Sequence, residues 1–254
     1  METWYEQYFN EDYLKIYKHR NDDLAHNELT QLMKFVPTTR GQSLLDLCCG
    51  NGRHSRWFAK QGFHVTGVDL SPTLLNEAKK KDYAKDIYYV RIDMRDLYYK
   101  DDFDIVVNLF TSFGYFNEDE QNKKVLKNVF HALKTNGYFV FDYLNPSFLE
   151  NHLVPFSKDI IDDLSILQYR MIINNSVVKK IKVEDKGVLR EYEERVKLYE
   201  RRKLDEMLEE VGFTILHTFG DYDGSKYEKN ESSRLIYVCQ KRRTVEVEKN
   251  EIMF

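Results

Sequence analysis

Two glycines and an acid near the start of the chain carry the clearest chemical signal. In LLDLCCGNGRHS, residues 44–55, an apolar run leads into a turn containing Gly50 and Gly52, and a helical pattern follows. Because glycine lacks a Cβ, this turn lets a ligand approach the backbone, and the helix start offers free N–H groups. Asp69 comes 17 residues after Gly52, at the end of the next apolar run, where its carboxylate can accept both hydroxyls of a ribose. The pattern predicts a nucleotide-type ligand.

The same residues also allow other interpretations. Gly50 and Gly52 could simply close a tight turn, while Asp69 could cap a helix that begins near Pro72. A nicotinamide-dependent oxidoreductase uses a similar turn and acid, although the third glycine of that fingerprint is missing here. A non-catalytic cofactor-binding scaffold protein is the remaining alternative, since binding residues alone do not establish turnover.

Strands and helices alternate around these residues. Five short apolar runs predict strands: SLLDLCC, HVTGVDL, IYYVRID, FDIVVNLF and GYFVFDY. Helical patterns separate them, most clearly over residues 118–134; Ser71–Pro72 is a typical helix start and Asn136–Gly137 a typical helix end. This succession predicts an α/β fold with a parallel sheet, right-handed crossovers and helices on both faces.

An antiparallel meander follows this core. Residues 164–199 hold three β-rich stretches, LSILQYRMII, VVKKIKVED and VLREYEERVKLY, separated by turn signals. In the last stretch Tyr192, Val196 and Leu198 alternate with charged residues, which predicts one covered and one solvated face. The covered face should lie over the acceptor side or against a second copy of the chain. A helix in ERRKLDEMLEEVG and strands in FTILHTFG and SRLIYVCQ then complete the core.

These changes of pattern divide the chain into four parts. The predicted parts are an N-terminal helical lid (residues 1–40), a cofactor-binding core (41–146 and 200–243), an antiparallel β insertion that covers the substrate or forms a dimer contact (147–199), and a frayed tail (244–254).

Composition excludes several classes of protein. Of 254 residues, 42% are hydrophobic and 31% charged, which is typical of a folded globular protein. The net charge of -4 argues against a nucleic-acid partner. Three cysteines without metal-binding spacing indicate a reducing cytoplasm, and neither a leader peptide nor a membrane span is expected. The scattered histidines predict no catalytic metal.

Five successive segments resemble the ordered motifs of class I S-adenosylmethionine-dependent methyltransferases. They are LLDLCCGNGRHS, GVDLS, YYVRIDMRDL, FDIVVNLFTSFGYF and LKTNGYFVFDYLNP, all between residues 40 and 146. LDEMLEEVGF, TILHTFGDYDG and RLIYVC resemble the last helix and closing strands of the same fold. The resemblance implies a Rossmann-like fold with a seven-stranded, mostly parallel sheet, S-adenosylmethionine as the cofactor, and methyl transfer as the reaction.

The resemblance also implies which residues contact the cofactor. The glycine loop would lie against the methionine part, the acid after the second strand against the ribose, the acid and its neighbour after the third strand against adenine, and the end of the fourth strand against the methionine amino group and the methyl group. The expected contacts are Asp46, Gly50, Asn51, Gly52, Asp69, Leu70, Asp93, Met94, Asn108, Leu109 and Phe110. Cys48 stands where the family commonly has the first glycine of the loop.

Aromatic residues crowd the N-terminal segment. Phe9, Tyr13 and Tyr17 follow a helical stripe at i, i+4 and i+8 on one predicted helix. The stripe either packs on the sheet edge or forms a lid in which Tyr13 covers the cofactor and the rings attract a sulfonium or an ammonium.

The sequence narrows the chemical class of the methyl acceptor mainly by excluding other classes. The fourth strand ends in Asn-Leu-Phe-Thr, which lacks the Asn/Asp-Pro-Pro-aromatic tetrad that resembling enzymes use on planar amide or adenine nitrogen. We expect a small-molecule acceptor, methylated on an amine nitrogen rather than on oxygen or carbon. Tyr115 is the candidate catalytic residue, which would orient or deprotonate the acceptor, and Tyr222 and Arg234 are candidate substrate contacts. A homodimer through the β insertion is also expected.

Overall fold

A computed structural model describes residues 3–81 and 83–242. Within these residues the helices are α1 (Trp4–Tyr8), α2 (Glu11–Ile16), α3 (Asp22–Leu32), α4 (Arg53–Gln61), α5 (Pro72–Ala78), α6 (Asp119–Ala132), α7 (Pro146–His152) and α8 (Arg201–Val211). The strands are β1 (Ser43–Leu47), β2 (His64–Asp69), β3 (Ile87–Arg91), β4 (Phe103–Asn108), β5 (Leu133–Leu144), β6 (Phe156–Ile161), β7 (Leu164–Ile173), β8 (Ser176–Asp185), β9 (Val188–Lys197), β10 (Phe213–Phe219) and β11 (Arg234–Lys241). The predicted tail, 244–254, lies outside the described residues.

Seven strands form the main sheet, in the order β10-β11-β5-β4-β1-β2-β3. The pairs among β1 to β5 are parallel, and β11 runs antiparallel to both β5 and β10. The predicted Rossmann-like fold with a mostly parallel seven-stranded sheet is therefore confirmed. Because the strand order reverses between β1 and β4, a crevice opens at the carboxyl ends of these strands, where α/β proteins bind ligands.

Alternate residues of the main-sheet strands pack into two apolar cores, one on each face of the sheet. Leu45 of β1 packs with Leu126 of α6 and Leu208 of α8. Leu44, its neighbour in β1, packs with Phe58 of α4 instead. Helices thus cover both faces, as the nearly continuous apolar strands predict.

Strands β6 to β9 form a second, antiparallel sheet, here called the insertion sheet. It has four strands where the sequence predicted three, because β6 was missed. This edge strand, Phe156–Ile161, has no fully buried residue, so its sequence shows no alternation of apolar and polar residues. The covered face of the sheet packs Ile166, Ile181 and Val183 against Tyr8 and Ile16.

The predicted single N-terminal helix is wrong. Asn10 has an extended backbone between α1 and α2, and its side-chain oxygen accepts hydrogen bonds from the N–H groups of Asp12 and Tyr13. An asparagine that caps a new helix ends the previous one, so Phe9, Tyr13 and Tyr17 do not share one helix. Their rings still contact in sequence, with Phe9–Tyr13 and Tyr13–Tyr17 centroids 5.0 and 4.8 Å apart.

One other predicted boundary is wrong, and one is confirmed. Helix α6 ends at Ala132 and β5 begins at Leu133, so Asn136–Gly137 lies inside the strand rather than at the helix end. Ser71 caps α5 through a hydrogen bond from the N–H of Leu74, as predicted. No helix of the described chain is long and apolar enough to cross a membrane.

Candidate active site

A cavity of about 340 Å³ lies at the carboxyl ends of β1, β2 and β4. One wall comes from the main sheet, a second from the insertion sheet, and the α1–α2 segment closes part of the space between them. Ten residues predicted to contact the cofactor or the acceptor are among those that border it: Tyr13, Gly50, Asn51, Asp69, Leu70, Asp93, Met94, Leu109, Phe110 and Tyr115. Arg234 borders it as well.

The two glycines of the first loop serve different purposes. Both have left-handed backbones, with φ of 57° at Gly50 and 76° at Gly52. A Cβ at Gly50 would have only Leu74 Cδ1 nearby, at 3.9 Å, so this glycine leaves its side of the cavity open. A Cβ at Gly52 would lie 2.2 Å from the Tyr89 hydroxyl oxygen. Gly52 therefore accommodates a core side chain and does not border the cavity, and its contact with the cofactor stays a prediction.

Asp69 ends β2 at the cavity with half of its acceptor capacity unused. Its Oδ2 accepts a hydrogen bond from the N–H of Gly50 at 2.9 Å, and its Oδ1 accepts from the N–H of Ser71 at 2.8 Å. An ionised carboxylate has about four acceptor positions, so about two remain for a ligand. Burial raises the pKa of Asp69 to about 6. A ligand with two adjacent hydroxyls would satisfy the free positions and favour the charged form.

The third-strand acid is already paired. Asp93 accepts hydrogen bonds from Arg95, with Nη2–Oδ2 at 2.6 Å and Nε–Oδ1 at 3.0 Å. Burial opposes ionisation, but the bonds from Arg95 outweigh it and hold the pKa of Asp93 below its usual value. Beside it, Met94 Sδ lies 3.7 Å from Cys48 Sγ. Burial raises the pKa of Cys48 well above that of a free thiol, so this side chain is a neutral packing group.

Two strained residues follow β4 at the cavity. Phe110 and Thr111 have φ of 62° and 61°, a conformation that non-glycine residues adopt only when their surroundings impose it. Buried Asp142 of β5 imposes it here: its carboxylate accepts from the N–H of Phe110 at 2.6 Å, and its carbonyl accepts from the N–H of Thr111 at 3.1 Å. Asp142 does not border the cavity but holds the backbone of two residues that do.

Arg234 and Tyr222, both predicted substrate contacts, converge on Asp142. Arg234 forms an ion pair with it, Nη2–Oδ1 2.6 Å, and donates to Thr111 Oγ1 at 2.7 Å. The Tyr222 hydroxyl donates to the other carboxylate oxygen. Tyr222 is buried and does not border the cavity, so the structure does not support its role as a substrate contact. Arg234 does border the cavity.

Two further residues expected at the cofactor lie behind the cavity wall. Asp46 is buried and accepts a 2.5 Å hydrogen bond from Ser55 Oγ, and burial raises its pKa. Asn108 is also buried, and its amide donates to the carbonyls of Leu47 and Ser112 at 3.1 and 3.3 Å. Both side chains brace the strand ends, and neither borders the cavity, contrary to the prediction.

Tyr115 borders the cavity as a protonated phenol. Its hydroxyl donates to the Thr111 carbonyl at 3.2 Å, and its ring contacts Trp4 with centroids 4.9 Å apart. Burial raises its pKa well above that of a free tyrosine, so it stays protonated near neutral pH. Tyr13 also borders the cavity, where its hydroxyl accepts from Arg20 Nη1 at 3.2 Å.

Sequence reasoning missed two groups of charged residues at the cavity. Arg20 and Arg53 approach the ring of Phe110, with Cζ 4.4 and 5.1 Å from its centroid. Arg20 Nε and Arg53 Nη2 are buried without a hydrogen-bond partner in the described chain, although Arg53 Nη1 is paired with Glu28 at 2.9 Å. The insertion sheet adds Arg170, Lys179 and Glu194. Residues 3–81 and 83–242 contain no group of three or more potential metal ligands, and the absence of a catalytic metal stays a prediction.

Comparisons with known proteins agree on one chemistry. A family model described as a methyltransferase domain matches residues 44–137, from β1 into β5. The Bacillus subtilis protein YqeM, named provisionally as a methyltransferase, is 27% identical over 87% of this chain and 94% of its own length.

Two solved structures share the fold. An S-adenosylmethionine-dependent methyltransferase from Clostridium acetobutylicum has a TM-score of 0.76 at 20% identity, covering 91% of this chain and 97% of that chain. CalS10, an amino pentose methyltransferase from Micromonospora echinaspora solved with S-adenosylmethionine bound, has a TM-score of 0.65 at 20% identity, covering 95% and 99%.

Proposed function

Because the chain belongs to the class I S-adenosylmethionine-dependent methyltransferases, we propose that its acceptor is a small molecule methylated on an amine nitrogen. The observation that carries the cofactor part is Asp69, which borders the cavity at the end of β2 and has about two acceptor positions unused. S-adenosylmethionine, when bound, supplies a methyl group on a positively charged sulfur. The protein therefore has to contribute proximity, orientation and exclusion of water.

We assign the adenosine part of the cofactor to the side of the cavity near β2 and β3. Asp69 accepts from the ribose hydroxyls, and Leu70 and Met94 pack beside the sugar and the base. Asp93 borders the same region, but its pairing with Arg95 leaves it fewer positions for adenine than the family pattern implies. Gly50, Asn51, Leu109 and Phe110 then flank the methionine part.

Arg53 and Arg20 are suited to hold the cofactor carboxylate. Arg53 is only 6% exposed, and its unpartnered Nη2 belongs to a residue of the cavity wall. A buried guanidinium nitrogen without a partner is costly, and a carboxylate would satisfy it through a charge-assisted hydrogen bond. Both arginines also contact the ring of Phe110, which places positive charge beside the predicted methionine position.

Three observations support a small amine as the acceptor. The cavity volume, about 340 Å³, falls in the range of small-molecule sites. Rings of Phe9, Tyr13 and Tyr115 border it and suit a cationic group. CalS10, a structural neighbour, is by its name an amino pentose methyltransferase. Under this proposal Tyr13 is a lid residue and Tyr115 orients the acceptor.

The remaining partner and location assignments belong to the same proposal. All three cysteines are free, which suits a reducing cytoplasm. Homodimerisation through the insertion sheet stays a prediction; it would bury exposed apolar side chains such as Phe156 and Ile160, and sedimentation of the purified protein tests it. The absence of a nucleic-acid partner also stays a prediction.

Calorimetric titration with S-adenosylhomocysteine, S-adenosylmethionine and NAD tests the cofactor assignment. We expect binding of the first two ligands and none of NAD. Tight NAD binding without a response to S-adenosylhomocysteine would contradict the proposal in favour of a nicotinamide enzyme. Methyl transfer to a panel of amines, alcohols and carbon acids then tests the acceptor atom, and transfer to oxygen or carbon alone would contradict the amine assignment.

A further inference from the structure

Three charged residues lie in a row across the covered face of the insertion sheet. Arg170 of β7 is opposite Lys179 of β8, and Lys179 is opposite Glu194 of β9. Their neighbours two residues along the same faces include Val177 and Val196. Charges on a covered face are unfavourable unless something pairs with them. All three border the cavity.

The protein itself does not neutralise this row. Arg170 donates to uncharged groups, Ser157 Oγ at 3.2 Å and Gln168 Oε1 at 2.9 Å. Lys179 donates to the Tyr17 hydroxyl. The Glu194 carboxylate forms neither a hydrogen bond nor an ion pair within residues 3–81 and 83–242. The charges are therefore available to a ligand.

The outer face of the same two strands shows that a cross-strand ion pair is sterically allowed. Lys182 and Glu191 are opposite each other on β8 and β9, as Lys179 and Glu194 are. Their Nζ and Oε1 atoms are 2.6 Å apart. On the covered face Lys179 instead extends to Tyr17, with Nζ 4.9 Å from the ring centroid. The separation of the two charges at the cavity is thus a property of that site, not of the strand pairing.

Aromatic residues border the cavity together with the Glu194 carboxylate. Tyr13 and Tyr115 border the same cavity as Glu194, and the negative charge of Glu194 adds to the burial that raises the pKa of both tyrosines. A cavity bordered by a carboxylate and aromatic rings is a suitable environment for an ammonium group. On the other side, burial lowers the pKa of Lys179 to about 8, and an anion beside it would favour the charged form of the amine.

Resting on the proposed function, we infer that Arg170, Lys179 and Glu194 bind the methyl acceptor and that this acceptor is a zwitterionic amine. Its ammonium group lies at Glu194, in the cavity that Tyr13 and Tyr115 also border. Its anionic group, a carboxylate or a phosphate, lies at Lys179 and Arg170. Opposite residues of neighbouring strands have Cα atoms about 5 Å apart, so the two charges belong to a compact molecule.

Four probes added to the S-adenosylhomocysteine-loaded protein test this inference. Glycine and O-phosphoethanolamine carry both charges, with a carboxylate and a phosphate respectively; ethylamine carries only the cation and acetate only the anion. We expect one of the two zwitterions to bind at least tenfold more tightly than ethylamine and acetate, by calorimetry or saturation-transfer NMR. Which zwitterion binds identifies the anionic group.

Variants of Glu194 and Lys179 test where the ammonium and the anionic group of the ligand bind. Glu194→Gln should weaken both the zwitterion and ethylamine about tenfold, and Lys179→Met should weaken the zwitterion about tenfold but leave ethylamine unchanged. The matched controls, Glu191→Gln and Lys182→Met, remove the outer pair on the same strands and should change neither. Thermal unfolding of each variant verifies that it is folded.

The outcomes separate this inference from the proposed function. Failure of the wild-type protein to bind S-adenosylhomocysteine overturns the proposed function. If S-adenosylhomocysteine binds but neither zwitterion binds more tightly than ethylamine, the zwitterionic acceptor is wrong. A tenfold loss of S-adenosylhomocysteine affinity in folded Glu194→Gln makes Glu194 a cofactor residue and also overturns the inference, while the proposed function stands.

Discussion

The charged side chains on the two walls of the cavity differ in whether the protein provides their partners. On the main-sheet wall the acids already have protein partners: two backbone N–H groups at Asp69 and the guanidinium of Arg95 at Asp93. On the insertion-sheet wall the side chains of Lys179 and Arg170 bond to uncharged groups, and the Glu194 carboxylate has no hydrogen-bond or ion-pair partner in the described chain. The first arrangement is preorganised for a fixed ligand, whereas the second requires a ligand to complete it. This difference supports the proposal that the cofactor binds at the main-sheet wall and the acceptor at the insertion-sheet wall.

The largest expected effect comes from the support behind the main-sheet wall. Asp142→Ala leaves buried Arg234 without its counter-ion and removes the acceptor that holds Phe110 in its strained conformation. We expect a loss of about 3–5 kcal/mol in the free energy of unfolding, measured by urea denaturation. Glu191→Ala, which breaks an exposed ion pair, should cost less than about 1 kcal/mol. Equal losses for the two variants would show that Asp142 is not the structural centre of this wall.

The next effect separates the two glycines of the loop. Gly52→Ala places a Cβ against the Tyr89 hydroxyl and strains a left-handed backbone, so we expect about 3 kcal/mol of destabilisation. Gly50→Ala meets no close atom and should cost about 1 kcal/mol from backbone strain alone. Thermal and urea unfolding of the two variants measure the difference. The assignment of Gly52 to packing fails if Gly52→Ala is the more stable of the pair.

Loss of the ribose acceptor should weaken the cofactor without unfolding the protein. Asp69→Ala removes a charged acceptor of two hydrogen bonds, which should cost about 2 kcal/mol of S-adenosylhomocysteine binding, or about 30-fold in Kd. Calorimetric titration measures it, with Glu191→Gln as the control that should bind normally. Unchanged affinity in a folded Asp69→Ala protein would reduce Asp69 to a turn and helix-start residue.

The smallest effect is a pH dependence on the same wall. With a pKa of about 6 in the folded protein, against an ordinary value of 3.8, Asp69 holds its proton more tightly when folded. Its contribution to stability is therefore present below pH 3.8 and is lost as pH rises through 6. Cofactor affinity changes in the opposite direction, because the ribose hydroxyls bond to the ionised form.

S-adenosylhomocysteine binding should therefore weaken about tenfold between pH 7.5 and pH 5, which corresponds to about 1.4 kcal/mol. Asp69→Asn, which cannot ionise, should bind weakly at both pH values and lose most of this dependence. A wild-type affinity that is constant across this interval would mean that the pKa of Asp69 is not raised in solution.

The sequence predicted the main-sheet wall because its signals are local. A strand, a glycine turn and a helix start follow one another within residues 44–55, and Asp69 stands at a strand end that the next helix marks. Packing partners were harder to predict. Gly52 faces Tyr89, which is 37 positions further along the chain, and no local pattern shows that approach. The break at Asn10 was missed because helical spacing outweighed a helix-capping residue.

The insertion-sheet wall was missed for a different reason. On the covered face of β9, Glu194 lies between Tyr192 and Val196. On the same face of β8, Lys179 lies between Val177 and Ile181. A charged residue on an apolar face was the available signal. Its meaning depends on the register that sets Lys179 opposite Glu194, and on the cavity that both residues border. Neither can be obtained from one strand alone.

A crystal structure of the complex with S-adenosylhomocysteine tests the two-wall comparison most directly. We expect the ribose hydroxyls on Asp69, the methionine part beside Gly50 and Phe110, and no contact between the ligand and Lys179 or Glu194. A ligand whose amino group bonds to Glu194, or whose ribose leaves Asp69 free, would contradict the division of the cavity into a cofactor wall and an acceptor wall.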